Sequence, residues 1–421
     1  MMKKILSTIA MALLMVSAVA QTRSIENELA SDPKRAYGTD YPYLYEMTAL
    51  TPAPDGYKAF YISHYGRHGS RYYWEEALYN DIDTLLTTAH DRGVLTAAGE
   101  QFYHNFKSAL PELKAGWGEL TEVGWNQHKQ IARTMYDRFP EVFTDGGHVD
   151  AICSLSGRCV MSMASFCLEL KGCNPKLDIH EQSARSTLPG VVPGDRQNPQ
   201  WRKFKRMAPR FWRSKERLTE DTTLVRTILG RMLTTTEGLK KSPRKTAEDL
   251  KNLYTSLPSI GKEGMMCGIY TDEDVVSQWE VSNLGSYAWV FGDQLNSVPI
   301  LHDILKAADD VIEGRSSDIA DLRFGHDSYI GPLTILMGIN GADKDPENPS
   351  EVKYCYQNYE TCKASNIQLV FYRNSKNDVL VKCLLNGAES VLPVPTDIYP
   401  YYKWSDFQKY YSNKYPSESN E

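Results

Sequence analysis

Hydrophobic and polar positions follow two different periods along the chain. Short runs of apolar or β-favouring residues predict strands, at 58–63, 148–156, 177–180, 319–324, 367–372 and 379–385. Apolar residues three or four positions apart predict helices, at 74–90, 95–110, 121–139, 159–170, 331–339 and 401–411. Residues 21–57 carry four prolines and are predicted to be irregular, whereas helical patterns dominate from about 185 to 312.

The stretch after the first predicted strand carries the most chemistry. Gly66 and Gly69 break the strand, and Arg67, His68 and Arg71 stand beside them. Guanidinium groups donate paired hydrogen bonds to phosphate oxygens, and backbone N–H groups near a glycine add to an anion site. A neutral imidazole between two arginines could attack phosphorus and form a phosphohistidine. The stretch therefore predicts an anion site with His68 as the candidate nucleophile.

Two other interpretations of this stretch stay open. His64 and His68 stand four residues apart, which is the spacing of a metal-binding pair on a helix, although the glycines disfavour a helix here. Arg67 and Arg71 also fit ordinary surface charges. The strength of the anion-site hypothesis depends on what the rest of the chain supplies.

Two later strand ends also carry polar side chains. Arg158 follows the strand predicted at 148–156, and His326-Asp327 follows the strand predicted at 319–324. Because ligands of open α/β sheets bind at the carboxyl ends of the strands, we expect these groups to meet the first stretch. Alone, a His-Asp pair is equally typical of an exposed loop or a helix cap.

The N-terminal residues have the pattern of a cleaved export signal. Lys3 and Lys4 precede an apolar run, and Ala18-Val19-Ala20 fits a cleavage site, which predicts processing after Ala20 and a periplasmic or secreted protein. No later stretch is apolar enough to cross a bilayer, so no membrane partner is expected after cleavage. The formal net charge is −6, and loss of the two lysines makes the remaining chain more acidic. An acidic chain disfavours a general nucleic-acid partner.

The eight cysteines are compatible with disulfides in an exported protein. Cys355 and Cys362 have the spacing of a local loop pair, and four others cluster between 153 and 173. Buried free thiols are equally compatible with the sequence. The connectivity stays open at this point.

The strongest cluster of positive charge lies at 201–217. Its candidate substrate-binding residues are Arg202, Lys203, Lys205 and Arg206, with aromatic residues nearby. One interpretation is a basic wall above the site that attracts a polyanionic substrate. The other is the solvated face of an amphipathic helix pair. Basic and aromatic residues together also suit single-stranded nucleic acid, which the acidic chain disfavours.

Taken in order, the motifs resemble those of the histidine acid phosphatases, a branch of the phosphoglycerate mutase-like superfamily that includes phytases. The matching segments are Arg67-His68-Gly69-Ser70-Arg71, Leu120-Thr121-Glu122-Val123-Gly124 with Gln127, Gly157-Arg158-Cys159 with Ser162, His326-Asp327, and Asn366–Arg373 with Leu385-Asn386-Gly387. The resemblance spans roughly 58–390. Tyr73 departs from it, because the family usually has proline there. Asp327 departs from the His-Ala-Glu often found in the inositol-polyphosphate subgroup.

The resemblance implies a role for each matching residue. His68 is expected to be the nucleophile, and Asp327 the proton donor to the leaving alcohol, which requires a raised pKa or an acidic medium. The expected phosphoryl-binding groups are Arg67, Arg71, Arg158 and His326. Thr121 and Gln127 are expected to shape their helix, and Ser162 to orient Arg158.

The implied activity is hydrolysis of small phosphomonoesters, without a metal or another cofactor, at acidic to neutral pH. Phytate or another inositol polyphosphate is the favoured substrate, because of the basic segment at 201–217 and the predicted export. A broad-specificity acid phosphatase acting on sugar phosphates or nucleotides is the close alternative. A phosphoglycerate mutase and an inactive phosphate-ligand binding protein are more distant alternatives.

The resemblance also implies the architecture. We expect an α/β fold with a mainly parallel sheet, helices on both faces, and a mostly helical cap over the strand ends. The expected catalytic domain comprises 21–75, 140–184 and 313–421, after a signal peptide at 1–20. The expected cap insertions are 76–139 and 185–312.

Overall fold

A single eight-stranded sheet forms the centre of the protein. The computed structural model describes residues 24–43, 48–193, 211 and 222–416. The strands are β1 Lys58–Arg67, β2 Gly147–Cys153, β3 Leu177–Gln182, β4 Asp318–Gly325, β5 Asn366–Arg373, β6 Val379–Leu385, β7 Ala388–Glu389 and β8 Tyr401–Lys403. Their order is β3-β2-β4-β1-β5-β6-β7, and β8 pairs with β6.

The sheet has a parallel half and an antiparallel half. Strands β3, β2, β4 and β1 are parallel neighbours, whereas β5 runs antiparallel to β1 and begins an antiparallel series with β6, β7 and β8. The predicted α/β class with helices on both faces is confirmed. The antiparallel share is larger than predicted, because β5 and β6 form a hairpin and short later strands extend it.

Helices flank this sheet and extend beyond it. In the described part of the chain they are α1 Ile25–Ser31, α2 Glu76–Asp91, α3 Ala97–Gly116, α4 Glu122–Arg138, α5 Pro140–Phe143, α6 Gly157–Cys173, α7 Thr223–Met232, α8 Pro243–Ser256, α9 Asp272–Gly292, α10 Val298–Ile312, α11 Asp327–Met337 and α12 Trp404–Lys414. Shorter 3₁₀ segments are Pro33–Asp40, Arg185–Gly190, Leu257–Ile260, Glu263–Met266, Gln294–Ser297, Ile339–Gly341, Pro349–Tyr354 and Asn358–Thr361.

Several sequence predictions of local structure differ from the structure in their bounds. Strand β1 continues through Gly66 to Arg67, so Gly66 does not break it. The region 21–57 is not wholly irregular, because α1 begins after a Ser24 cap and the segment Pro33–Asp40 continues as a 3₁₀ helix. The helix predicted at 331–339 begins earlier, at Asp327, directly after β4. The helix predicted at 401–411 is preceded by β8, since the residues at 401–403 pair with β6. At 401–403, pairing with β6 outweighed the local helical pattern.

The sheet separates two hydrophobic clusters. Adjacent residues of a strand point to opposite faces, so Ile62 packs with the cluster that includes α4 and α6, whereas Tyr61 packs with α10, α11 and α12. On the second face, Tyr61 and Phe371 have ring centroids 5.1 Å apart. Both faces of β1 are therefore buried, and its carboxyl end is held rigidly.

A second helical layer is formed by α2, α3, α7 and α8, which pack on one another. Helices α4 and α10 also fall within the expected cap ranges, but α4 packs on α6 and α10 contacts β1 and β4. The division into a catalytic domain and a cap stays a proposal. Among the described helices, none combines the length and apolar character needed to cross a bilayer.

Candidate active site

The predicted site residues of three strands meet at one edge of the sheet. Strand β4 lies between β2 and β1, with Gly325 opposite Arg67 and Phe324 opposite Cys153. The three carboxyl ends are therefore level with one another. His326 follows β4 directly, as His68 follows β1. This register brings together groups that are more than 250 residues apart in sequence.

The loop after β1 is fixed by hydrogen bonds from α4 and α6. The backbone N–H of Gly69 donates to Ser162 Oγ at 3.1 Å, and that of Ser70 donates to Gln127 Oε1 at 2.8 Å. Thr121 caps α4 and also donates from Oγ1 to the Ser70 carbonyl at 3.0 Å. Thr121 and Gln127 thus hold the loop as well as the helix. Ser162 also contacts this loop, which is a different contact from the expected one with Arg158.

A close backbone approach locks the same loop to α4. A Cβ atom on Gly69 would lie 2.6 Å from the carbonyl oxygen of Gly124, and a Cβ atom on Gly124 would lie 2.2 Å from that of Ser70. No side chain fits at either position without moving backbone. The glycines of two separate motifs therefore form one contact.

Arg67 is fully buried and anchored on three sides. Its Nη1 donates to the carbonyl oxygens of Thr39 at 2.6 Å and Thr361 at 2.9 Å, and its Nη2 forms an ion pair with Asp327 Oδ2 at 2.9 Å. Bonds from both terminal nitrogens fix the plane of the guanidinium group. Arg67 therefore provides a rigid positive charge beside Asp327.

His68 is held as a neutral imidazole in a defined tautomer. Its Nδ1 lies 2.9 Å from the carbonyl oxygen of Gly69, which can only accept, so Nδ1 carries the proton and Nε2 carries the lone pair. Burial lowers the pKa of His68 well below its ordinary value, and the charges of Arg67 and Arg71 add to this effect. The imidazole is therefore uncharged at neutral and mildly acidic pH.

His326 lies beside His68, with ring centroids 5.5 Å apart. Its Nε2 is 2.9 Å from Ser154 Oγ. Burial lowers the pKa of His326 to about 4, and the nearby charge of Arg158 adds to this effect. Ser154, which the sequence did not single out, therefore orients the second histidine.

The three arginines still have unused donors. In the described part of the chain, the Nε–H groups of Arg67, Arg71 and Arg158 are buried without a hydrogen-bond partner. Burying a charged donor without a partner is costly, so such groups are typical of a site that receives an anion. The charges of Arg67, Arg158 and Asp327 all influence Arg71, which places these groups in one electrostatic cluster.

The protonation state of Asp327 differs from the one that a proton donor requires. Burial raises the pKa of its carboxyl group, but the charges of Arg67, Lys363 and Arg71 outweigh this and hold the pKa well below its ordinary value. Without a bound anion, Asp327 is therefore a carboxylate at mildly acidic pH. Oδ1 accepts a hydrogen bond from the N–H of Ser328 at 2.9 Å.

Sequence reasoning missed two charged residues of the cluster. Lys363 is 1% exposed, and its Nζ lies 2.6 Å from Asp40 Oδ1. Lys363 lies just before β5. Because β5 runs antiparallel to β1, the first residues of β5 lie at the same edge of the sheet as the carboxyl end of β1. Asp40 belongs to the N-terminal region predicted to be irregular. The spacing of Lys363 before the motif at 366–373 was the one available signal.

Other sequence hypotheses have different outcomes. His64 packs against Phe166 and Phe324, with centroids 5.2 Å apart in each case, so it does not join His68 as a metal pair. All eight cysteines lie within the described residues and are free thiols, including Cys355 and Cys362. The signal peptide at 1–20 lies outside the described residues. So do the candidate substrate-binding residues Arg202, Lys203, Lys205 and Arg206.

The fold is that of the histidine acid phosphatases, as the ordered motifs indicated. No protein-family model and no curated protein sequence matches the chain. Among solved structures it is similar to a multiple inositol polyphosphate phosphatase from Bifidobacterium longum in complex with inositol hexasulfate. The TM-score is 0.69 and the identity 18%, over 92% of this chain and 99% of that one.

Two phytases have the same fold. The phytase from D. castellii matches with a TM-score of 0.68 and 15% identity, over 94% of this chain and 88% of that one. The phytase from Citrobacter braakii matches with a TM-score of 0.56 and 13% identity, over 85% of this chain and 98% of that one. Similarity at these identities establishes the fold, and the chemistry depends on the residues of this chain.

Proposed function

We propose that this protein hydrolyses phosphomonoesters through a phosphohistidine formed on His68. The observation that carries the proposal is a neutral imidazole beside three arginines with buried, unpartnered Nε–H groups in the described part of the chain. A phosphoryl group would satisfy those donors and place phosphorus near the imidazole. The fold shared with phosphatases and phytases supports the same activity.

In the first step, His68 Nε2 attacks phosphorus. The N–P bond forms as the bond from phosphorus to the ester oxygen breaks, and Asp327 gives its proton to that oxygen, so an alcohol leaves. Arg67, Arg71 and Arg158 stabilise the charge on the equatorial oxygens. In the second step, water attacks phosphorus and gives a proton to Asp327 as the N–P bond breaks. Inorganic phosphate is released and His68 is regenerated.

Binding of the substrate raises the pKa of Asp327, so that its carboxyl group can be protonated. The carboxylate is ionised in the free site because of the surrounding cations. A bound phosphoryl group brings negative charge next to Arg67 and Arg71, which offsets those cations and raises the pKa of Asp327. The carboxyl group can then hold the proton that the leaving oxygen requires.

Inositol polyphosphates, phytate in particular, are the substrates we favour. One similar structure is an inositol polyphosphate phosphatase with inositol hexasulfate, and others are phytases. The basic segment at 201–217 would meet the additional phosphates of such a substrate. We further propose that the chain is exported, as residues 1–20 predict.

A broad-specificity acid phosphatase is the second candidate. Trp74 and Trp117 are half-exposed, at 50% and 47%, where the backbone after the site loop meets the turn before α4. Such aromatic side chains offer a flat apolar surface to a nucleotide base or a sugar ring. This feature favours monophosphates with a ring in the leaving group.

The test is release of inorganic phosphate from phytate at about pH 5, with and without EDTA, for the wild type and His68→Ala. We expect release that is unaffected by EDTA, because the cations of the proposed site are side chains. His68→Ala should reduce turnover at least about 10³-fold while the fold is retained, since the proposed bond to phosphorus cannot form.

Each result has a clear consequence. Wild-type-like turnover by His68→Ala would exclude the phosphohistidine. Turnover of sugar phosphates and nucleotides but not of phytate would support the second candidate. A 3-phosphoglycerate isomerisation without phosphate release would instead favour the mutase, and absence of all turnover would favour a binding protein.

A further inference from the structure

Two segments that are far apart in sequence hold Arg67 from opposite sides. The carbonyl oxygens of Thr39 and Thr361 both accept hydrogen bonds from Arg67 Nη1. The neighbouring residues Asp40 and Lys363 form an ion pair at 2.6 Å. This ion pair therefore joins the two segments next to the guanidinium group on which the site depends.

The segment that carries Lys363 also contacts the nucleophile. The N–H of Ala364 donates to the carbonyl oxygen of His68 at 3.0 Å, and the carbonyl oxygen of Ser365 accepts from the N–H of Arg67 at 2.8 Å. Since Lys363 is flanked by these contacts, its position is coupled directly to the backbone of the site loop.

Lys363 occupies an unfavourable environment for a structural lysine. It is almost fully buried, and Arg67 and Arg71 add positive charge around it. Asp40 is its ion-pair partner, and the charges of both arginines act on Asp40 as well. Burial of an ammonium group among like charges destabilises the fold unless something compensates it. Such an arrangement is typical of functional sites.

We infer that Lys363 is an anion-binding residue of the phosphoryl site: its ammonium group, whose charge Asp40 sustains, completes the positive pocket for a tetrahedral dianion. The inference rests on the anion pocket of the proposed function but not on its turnover. It adds a fourth cation to the three arginines and assigns a role to the N-terminal segment.

The electrostatic surroundings give Lys363 a measurable signature. Burial lowers the pKa of Lys363 to about 7, the charges of Arg71 and Arg67 add to this effect, and Asp40 opposes it. The charged or titratable groups that face it are Asp40, Arg67, His68, Arg71, Asp327 and Cys362. The charge of Lys363 is thus present below pH 7 and is lost above it, so anion affinity should fall as the pH rises through 7.

Sulfate is the appropriate probe, because it is a tetrahedral dianion whose charge is constant between pH 6 and 8.5. Over this range His68 and His326 are neutral and Asp327 is ionised. Isothermal calorimetry should show wild-type affinity falling by about 30-fold if the protonated form of Lys363 alone binds sulfate. Binding at pH 8 should also take up a proton, which appears as a dependence of the binding heat on the buffer.

Three variants separate charge from structure. Lys363→Arg keeps a permanent charge and should bind sulfate with a flat pH profile and no proton uptake. Asp40→Asn removes the group that raises the pKa of Lys363, so the fall in affinity should move to lower pH. Lys363→Met should bind sulfate weakly at every pH. Thermal melts confirm that each variant is folded.

Wild-type sulfate affinity of Lys363→Met at pH 6, or a fall in affinity with pH that is unchanged in Lys363→Arg, would overturn the inference. A flat wild-type profile together with weak binding by Lys363→Met would show that Lys363 stays charged up to pH 8.5 and would leave its place in the pocket standing. Absence of sulfate binding at pH 6 would overturn it together with the anion pocket. Sulfate binding that depends on Lys363 in a protein that hydrolyses no phosphomonoester would overturn the proposed function and leave the inference standing.

Discussion

Substituting Gly124 with alanine tests whether the site depends on the contact between α4 and the loop after β1. A Cβ atom at this position would lie 2.2 Å from the carbonyl oxygen of Ser70 and 2.7 Å from its nitrogen. Real Cβ atoms essentially never approach other atoms closer than 3.0 Å, so the loop must move by at least about 0.8 Å. The obstructing atoms are backbone, which no change of rotamer relieves.

The magnitude follows from this displacement. Ser70 stands between His68 and Arg71, so the loop moves as a unit and shifts both groups relative to the fixed Arg67. A misplacement of about 1 Å in a catalytic constellation costs roughly 10²-fold in rate. We therefore expect kcat/KM to fall by about 10²-fold, which corresponds to about 2.7 kcal/mol of transition-state stabilisation.

Gly230→Ala is the matched control. Gly230 also lies within a helix, and no atom comes within 4 Å of a Cβ placed there. Alanine favours a helix by up to about 1 kcal/mol over glycine, so this variant should be as stable as the wild type or more so, with unchanged kinetics. Steady-state kinetics and thermal melts of both variants, with the better of phytate and p-nitrophenyl phosphate as substrate, make the comparison.

The reasoning is refuted if Gly124→Ala retains wild-type kcat/KM and sulfate affinity. Equal losses in both variants would show instead that any change of helix propensity disturbs the enzyme. Loss of folding in Gly124→Ala alone would place the contact in the stability of the protein, and circular dichroism distinguishes this outcome from a folded, inactive variant.

The remaining predictions concern proton transfer and substrate range. Asp327→Asn should slow alkyl phosphates by about 10²-fold or more, but aryl phosphates much less, because a phenolate leaves without protonation; equal losses on both would exclude Asp327 as the leaving-group acid. Reversing the charges of Arg202, Lys203, Lys205 and Arg206 should raise KM for phytate several-fold more than KM for a monophosphate, because only the polyanion reaches beyond the central pocket. Equal KM changes for both substrates would favour a solvated amphipathic face at 201–217.

The site residues that the parallel strands position were predictable from the sequence. Arg67 is the last residue of β1, His68 follows it, and His326 follows β4; both strands lie on runs that are recognisable as buried strands in the sequence. Because ligands of open α/β sheets bind at the carboxyl ends of the strands, the sequence alone indicated that these groups lie together. The cap of α4 was equally visible, since Thr121 precedes a clear helical pattern.

The site residue that the antiparallel strand β5 positions, Lys363, was not predictable in this way. Because β5 runs against β1, its amino end arrives at the active edge, and the segment before it carries Lys363 into the cluster. A search restricted to residues after strands passes over such a position. Asp40 was hidden for another reason, since its segment has no strong periodicity and is ordered by its contacts with Arg67 and Lys363.

The sequence by itself determined the strands, most helices and the identity of the reactive groups, because these depend on local hydrophobic periodicity and on side-chain chemistry. The tertiary structure decided the protonation states of these groups. Burial and neighbouring arginines make His68 neutral, keep Asp327 ionised and bring the pKa of Lys363 to about 7. These effects arise from desolvation and from charges brought close by the register of the sheet, which no local pattern encodes.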